Sequence, residues 1–177
     1  MTTGQEKTTQ ALQYAIQMEI DGKAFYLKAS RESGNELGRK LLESLAAQED
    51  YHRQKFEQIY ENIRKSRNWP VVDFKPDGGK TLRTIFAVEI SKPTSEIKVA
   101  HTELDAVQKA MQMEDKSYDF YHDRYEQVGP GAERDFFETI AAEEREHKLV
   151  LLDYYEFLQN PAGWFVKAEH PSLDGGN

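Results

Sequence analysis

The chain has 177 residues, 38% apolar and 31% charged, with a net charge of −8 and no cysteine. This length allows one domain with a core of its own, and the missing cysteines exclude disulfides, thiolate metal sites, iron–sulfur clusters and a cysteine nucleophile. The acidity argues against nucleic acid as a partner, and no apolar run approaches the ~20 residues of a membrane span, so a cytoplasmic location is expected.

The residues from Met1 to Gln10 are polar and lack a signal-peptide core. The first helix is expected from about Thr9 to Ser33, stopping at Gly34, a residue suited to the left-handed position after a helix end. A second runs from about Asn35 to Ser66, with Trp69-Pro70 ending it. A long connection follows, about residues 67–101, holding Pro70, Pro76, Asp77-Gly78-Gly79 and Pro93. Its apolar stretch around Leu82–Ile90 suggests a short helix, and its length suits either a crossover along a bundle or exchange of hairpins between two subunits. The third helix opens at Thr102, where Thr-Glu-Leu-Asp105 resembles a capping box with Asp in place of Glu, and ends near Gly129-Pro130-Gly131. The fourth runs from about Ala132 to Gln159, and a tail over residues 160–177 carries Trp164 and Phe165, expected to pack on the bundle end. With strand signals absent, the expectation is an all-α fold over residues 1–177: a four-helix bundle of two hairpins, about 9–66 and 102–159, joined by the crossover.

The two hairpins are copies of each other. Ala15-Ile-Gln-Met-Glu19, leading to Phe25-Tyr26, recurs as Ala110-Met-Gln-Met-Glu114, leading to Phe120-Tyr121. Ala46-Ala-Gln-Glu49-Asp-Tyr-His52 recurs as Ala141-Ala-Glu-Glu144-Arg-Glu-His147, and both matches share an offset of 95 without a gap.

Periodicity points the repeated polar residues inward. Leu42, Leu45, Glu49, His52, Phe56, Ile59 and Ile63 follow the three-and-four spacing of a core-facing stripe. The fourth helix repeats that spacing with Phe137, Ile140, Glu144, His147, Leu151, Tyr154 and Leu158. Glu19 lies 15 residues before Gly34 and Glu49 lies 15 after it, and the same distances separate Glu114, Gly129 and Glu144. At ~1.5 Å per residue, each pair climbs to the turn and returns to one height. Four carboxylates and two imidazoles then converge in a core, where unpaired charge costs several kcal/mol or more. Two divalent cations would balance the four carboxylates, and oxygen and imidazole donors favour iron or manganese, with zinc as an alternative. A single Glu-x-x-His on a helix means little. Two of them, each matched to a glutamate at the same loop distance, form a consistent metal site of Glu19, Glu49, His52, Glu114, Glu144 and His147.

Other residues suit supporting or unrelated roles. Tyr26 and Tyr121 fall on the inward face, either hydrogen-bonded to those carboxylates or packing the core. His101, His122 and His170 have no repeat partner and suit surface or capping roles. Arg39 and Arg134 match across the repeat near the turns and suit solvated positions.

At these residues the sequence resembles the ferritin-like superfamily, and within it the rubrerythrin-type diiron domain, over about Thr9 to Gln159. The resemblance implies that Glu49 and Glu144 bridge two metals, with Glu19 and His52 completing one site and Glu114 and His147 the other. It implies an oxidoreductase that reduces hydrogen peroxide or dioxygen. That family typically carries a further glutamate three residues after the position of Glu114, where this chain has Ser117, repeated as Gly22. It often appends a four-cysteine rubredoxin-like module, and this chain has no cysteine. Electrons are therefore expected from a separate rubredoxin-like, ferredoxin-like or flavoprotein donor, and a homodimer is expected. Iron handling by a ferroxidase, a bundle braced by metals without catalysis, manganese-catalase-like activity and substrate oxygenation are the alternatives.

Overall fold

The computed structural model describes residues 4–66, 68–92 and 99–164. Six helices follow in order: α1 (Gly4–Glu32), α2 (Glu36–Ser66), α3 (Lys80–Ile90), α4 (His101–Gln127), α5 (Ala132–Gln159) and α6 (Pro161–Trp164). No strand occurs among the described residues. α1 pairs with α2 and α4 with α5, and the two hairpins meet through α1 on α4 and α2 on α5. The crossover helix α3 lies against α2 and α5. This is the expected all-α bundle of two hairpins.

Three details of local structure differ from expectation. α1 begins at Gly4 rather than near Thr9, extended by polar residues that keep their helical propensity while leaving no apolar stripe to read. Gly34 does not take up the left-handed conformation; among the described glycines, positive φ occurs at Gly78, Gly79 and Gly131. The Gly34 turn is held by side chains instead. Asn35 Oδ1 accepts the Gly38 N–H at 2.8 Å, which makes Asn35 the cap of α2, and Glu103 from the other hairpin accepts the Gly34 N–H at 3.3 Å. The capping box at Thr102 does not form. α4 starts one residue earlier, with Ala100 at the cap position and no side-chain bond there. Glu103, inside that first turn, points instead at Ser33 and Asn35 of the opposite turn.

The inward stripes pack as two apolar clusters. One gathers Leu41, Leu45, Val107, Val150 and Phe157 with Leu82 and Phe86 of α3. The other gathers Leu12, Phe56, Ile59, Phe136, Phe137 and Ile140, with Trp69 and Phe74 of the crossover packed on it. Trp164 is buried against Phe86 and Phe157, as expected for the start of the tail. Phe165, His170 and Pro93 lie outside the described residues. No helix among the described residues is long and apolar enough to cross a membrane. Between these clusters, all four long helices bury charged or imidazole-bearing side chains.

Candidate metal centre

Each helix of the two hairpins contributes at mid-length. α1 carries Glu19, α2 carries Glu49 and His52, α4 carries Glu114, and α5 carries Glu144 and His147. The three-residue spacing within each Glu-x-x-His puts both side chains on one helix face. All six residues are buried, none more than 4% exposed. They converge as two overlapping groups of four: Glu19, Glu49, His52 and Glu144, and Glu49, Glu114, Glu144 and His147. Within each group one potential ligand atom per residue lies within 4.8 Å of every other. Glu49 and Glu144 belong to both.

The contacts inside the cluster are those of atoms facing a shared centre rather than bonding to one another. His52 Nδ1 stands 3.2 Å from Glu144 Oε1 and 3.5 Å from Glu19 Oε2. His147 Nδ1 stands 3.3 Å from Glu49 Oε1, 3.6 Å from Glu144 Oε2 and 3.7 Å from Glu114 Oε2. Most of these distances are long for a hydrogen bond. They match the ~3–3.5 Å between donors that each sit ~2.0–2.2 Å from a common ion. Glu19 Oε2, Glu49 Oε1, both oxygens of Glu144 and both histidine Nδ1 atoms are buried without a hydrogen-bond partner. Buried polar atoms are otherwise almost always satisfied. Six orphans turned toward one point fit a pair of cations.

Electrostatics shows what the cluster does when protons are its only counter-charge. Burial and the neighbouring charges of Glu19 and Glu144 push Glu49 well above the usual carboxylate range. Burial and Glu144 push Glu114 up to about 8. Burial works against a charged Glu144 as well, but His147 and His52 hold it below the usual range. Burial likewise opposes a charged imidazole, yet the carboxylates around His52 and His147 raise both above their ordinary value. With no other counter-charge, the cluster holds protons on Glu49, Glu114, His52 and His147 more tightly than free side chains do.

Tyr26 and Tyr121 bond across the hairpins. The Tyr26 hydroxyl donates to Glu114 and the Tyr121 hydroxyl donates to Glu19. Burial and the adjacent carboxylates raise both phenols, so each stays protonated and acts as a donor. Tyr26 belongs to one apolar cluster and Tyr121 to the other, so each tyrosine closes one end of the polar centre. Gly22 leaves the space that Glu49 occupies, because a Cβ there would lie 2.5 Å from Glu49 Oε2.

Two residues beside the histidines are not singled out by the sequence pattern. Gln48 Oε1 lies 2.8 Å from Nε2 of His147, on the opposite hairpin. Glu143 is buried, accepts the Gly78 N–H at 3.0 Å, and forms a further close group with His52 and His147. Gln48 and Glu143 are repeat partners, each four residues before a Glu-x-x-His histidine, and that spacing was the available signal. Another buried acid, Glu103, accepts bonds from Ser33, Asn35 and Tyr154 at the end of the bundle, and nothing at its repeat position, Thr8, points to it.

The remaining candidates stand apart. His101 is exposed at the start of α4, and His122 stacks on Tyr118 with Tyr125 tilted against it. Arg39 is exposed and paired with Glu36, while Arg134 is half-buried over the Tyr125 ring.

Compared with known families, residues 10–155 match the model of the rubrerythrin family. No curated protein and no solved structure matches the chain.

Proposed function

The chain belongs to the rubrerythrin family, and on that premise we propose that it is a dimetal-carboxylate oxidoreductase reducing hydrogen peroxide or dioxygen. In this reading Glu19 and His52 would hold one ion and Glu114 and His147 the other, with Glu49 and Glu144, common to both groups, shared between them. Iron is the proposed metal. The observation that carries the reading is the set of six orphaned, buried donor atoms facing one point. No satisfied structural network would leave them so.

A bound pair of redox-active ions would supply two electrons, one from each ion, to a single O–O bond, so that no radical need be released. The chain's own residues prepare for that chemistry. Tyr26 and Tyr121 fix the terminal carboxylates through their hydroxyls, which limits each to one orientation and leaves an oxygen for the metal. Gln48 accepts at His147 Nε2, which directs the Nδ1 lone pair toward the cluster. The apolar clusters above and below exclude bulk water, which strengthens every electrostatic contact inside. Ser117 stands where the family places a further carboxylate, so the proposed site has six protein ligands that obey the repeat. A separate protein donor restores the reduced state.

The test begins with metal analysis of protein purified without chelators, where about two ions per chain are expected. The metal-free protein is then loaded anaerobically with Fe(II) and mixed with peroxide while the absorbance of the oxidised pair is followed. Oxidation no faster than that of free Fe(II) rejects the proposed activity. Glu49→Ala removes a ligand common to both ions and is expected to retain fewer than one ion per chain.

A further inference from the structure

A buried centre that reacts with a small molecule needs a way in, and the helices close over all six of its residues. A cavity of about 310 Å³ opens between α2 and the crossover, lined by Ala47, Gln48, His52, Asp77 and Glu143 among others. At ~30 Å³ per water it has room for roughly ten. It reaches the centre at His52. Two further surface pockets, one by Trp69 and Phe136 and one between α4 and α5, touch none of the six residues.

The crossover builds the roof of this cavity with several ties. Phe74 stacks on Tyr51 and sets its edge against the His52 ring. Gly78 donates to Glu143 at 3.0 Å, and Arg83 binds the Gly78 carbonyl at 2.5 Å and Glu146 at 2.7 Å. Gly78 and Gly79 both have positive φ, a conformation that lets the chain turn sharply over α5 before α3 begins. The walls are largely apolar, and the polar groups gather at the inner end, with the Gln48 amide and the Glu143 carboxyl beside the outer edges of the histidine rings.

We infer that this cavity is the route by which a small, polar, water-sized oxidant of the peroxide class reaches the centre, passing between α2 and residues 74–81 to arrive at His52. The inference rests on the dimetal reading above and adds a direction to it. The internal repeat makes the centre itself nearly symmetric, but the crossover exists once. It therefore gives one face of the bundle a walled approach to a histidine of the centre, which the repeat-related pocket beside Ala142 does not reach.

The repeat also supplies the control. Ala47 is exposed at the cavity rim, and its partner at the offset of 95, Ala142, is exposed in the pocket between α4 and α5. The probe is azide, added to the diferric protein and followed by the absorbance of its complex, so that access is read without turnover. Ala47→Trp is expected to slow azide binding and release together by about tenfold, with affinity within about twofold of wild type. Ser44→Phe, one turn earlier on the same wall, is expected to slow both in the same sense, and Ala142→Trp to leave both rates within about twofold. An Ala47→Trp or Ser44→Phe protein that holds two irons and binds azide at the wild-type rate overturns the inference. So does an equal slowing by Ala142→Trp. Wild-type protein that fails to hold two irons overturns the dimetal reading itself, and this route with it.

Discussion

Glu49 and Glu144 each belong to both groups of four potential ligands, and that sharing distinguishes the centre from a set of separate ion pairs. In separate pairs each charge finds one fixed opposite charge; here each imidazole nitrogen faces two or three carboxylates at once, most of them beyond hydrogen-bond distance. The tyrosines show how narrowly the carboxylates are held. Tyr121→Phe removes the donor to Glu19, and Tyr26→Phe removes the donor to Glu114, without altering ring packing. Loss of a partner that orients a ligand typically costs ~10–100-fold in metal affinity. Each variant is therefore expected to weaken chiefly one of two sites by about that factor, seen as a split isotherm in a chelator-competition titration. Equal affinity with and without the hydroxyls would show that the two tyrosines only fill space. The inward position of Tyr26 and Tyr121 was legible from their spacing. That each would serve the glutamate of the opposite hairpin was not, because a repeat does not state which copy touches which.

The helices meet at two turns that work differently despite the repeat. The first is locked by a polar network, in which Glu103 accepts from Ser33 at 2.5 Å, from Tyr154 at 2.6 Å and from Asn35 at 3.1 Å. Gly38 is packed beneath it, where a Cβ would overlap the Tyr154 hydroxyl and Ser33 Oγ. Those atoms cannot withdraw without breaking bonds to a buried carboxylate. Gly38→Ala is therefore expected to destabilise the fold by about 1–3 kcal/mol, despite alanine's better helix propensity. The second turn has open space at Gly129, so Gly129→Ala is expected to fall within about 0.5 kcal/mol of wild type. Urea unfolding of both variants checks the contrast; a Gly38→Ala protein as stable as wild type would mean that the network tolerates displacement. The same network explains the missing capping box. Local sequence favours a cap at Thr102, but the helix start is set by anchoring Glu103 to the opposite turn, and tertiary contact overrides the local signal.

For the molecule as a whole, the centre couples stability to both protons and metal. Without metal, the fold keeps the Glu114 proton up to about pH 8, whereas an ordinary carboxyl releases it near 4.5. The folded chain therefore binds more protons than the unfolded chain between those values. This contribution is complete below the unfolded value and is lost as pH rises through the folded one. The raised values of His52 and His147 act in the same direction. Metal-free protein is thus expected to melt at a lower temperature at pH 8 than at pH 5.5. Added metal should raise the melting temperature more at pH 8, where fewer protons compete, and at 100-fold above its Kd should add about 2.7 kcal/mol. A metal-free melting temperature that climbs between pH 5.5 and pH 8 would contradict this charge balance.

The amino-acid sequence alone determined the bundle, the repeat and the six inward polar residues, because helical period and distance to a turn are local, one-dimensional quantities. Fifteen residues up and fifteen back bring Glu19 level with Glu49 in any straight hairpin. Tertiary structure decided what depends on how one hairpin faces the other and where the single crossover lies. It crossed Gln48 onto His147 and the tyrosines onto the opposite glutamates, drew Glu103 to the far turn, and placed Gly78 over Glu143 beside an open cavity. These are contacts between residues 65 to 102 positions apart in the chain, and no local spacing encodes them.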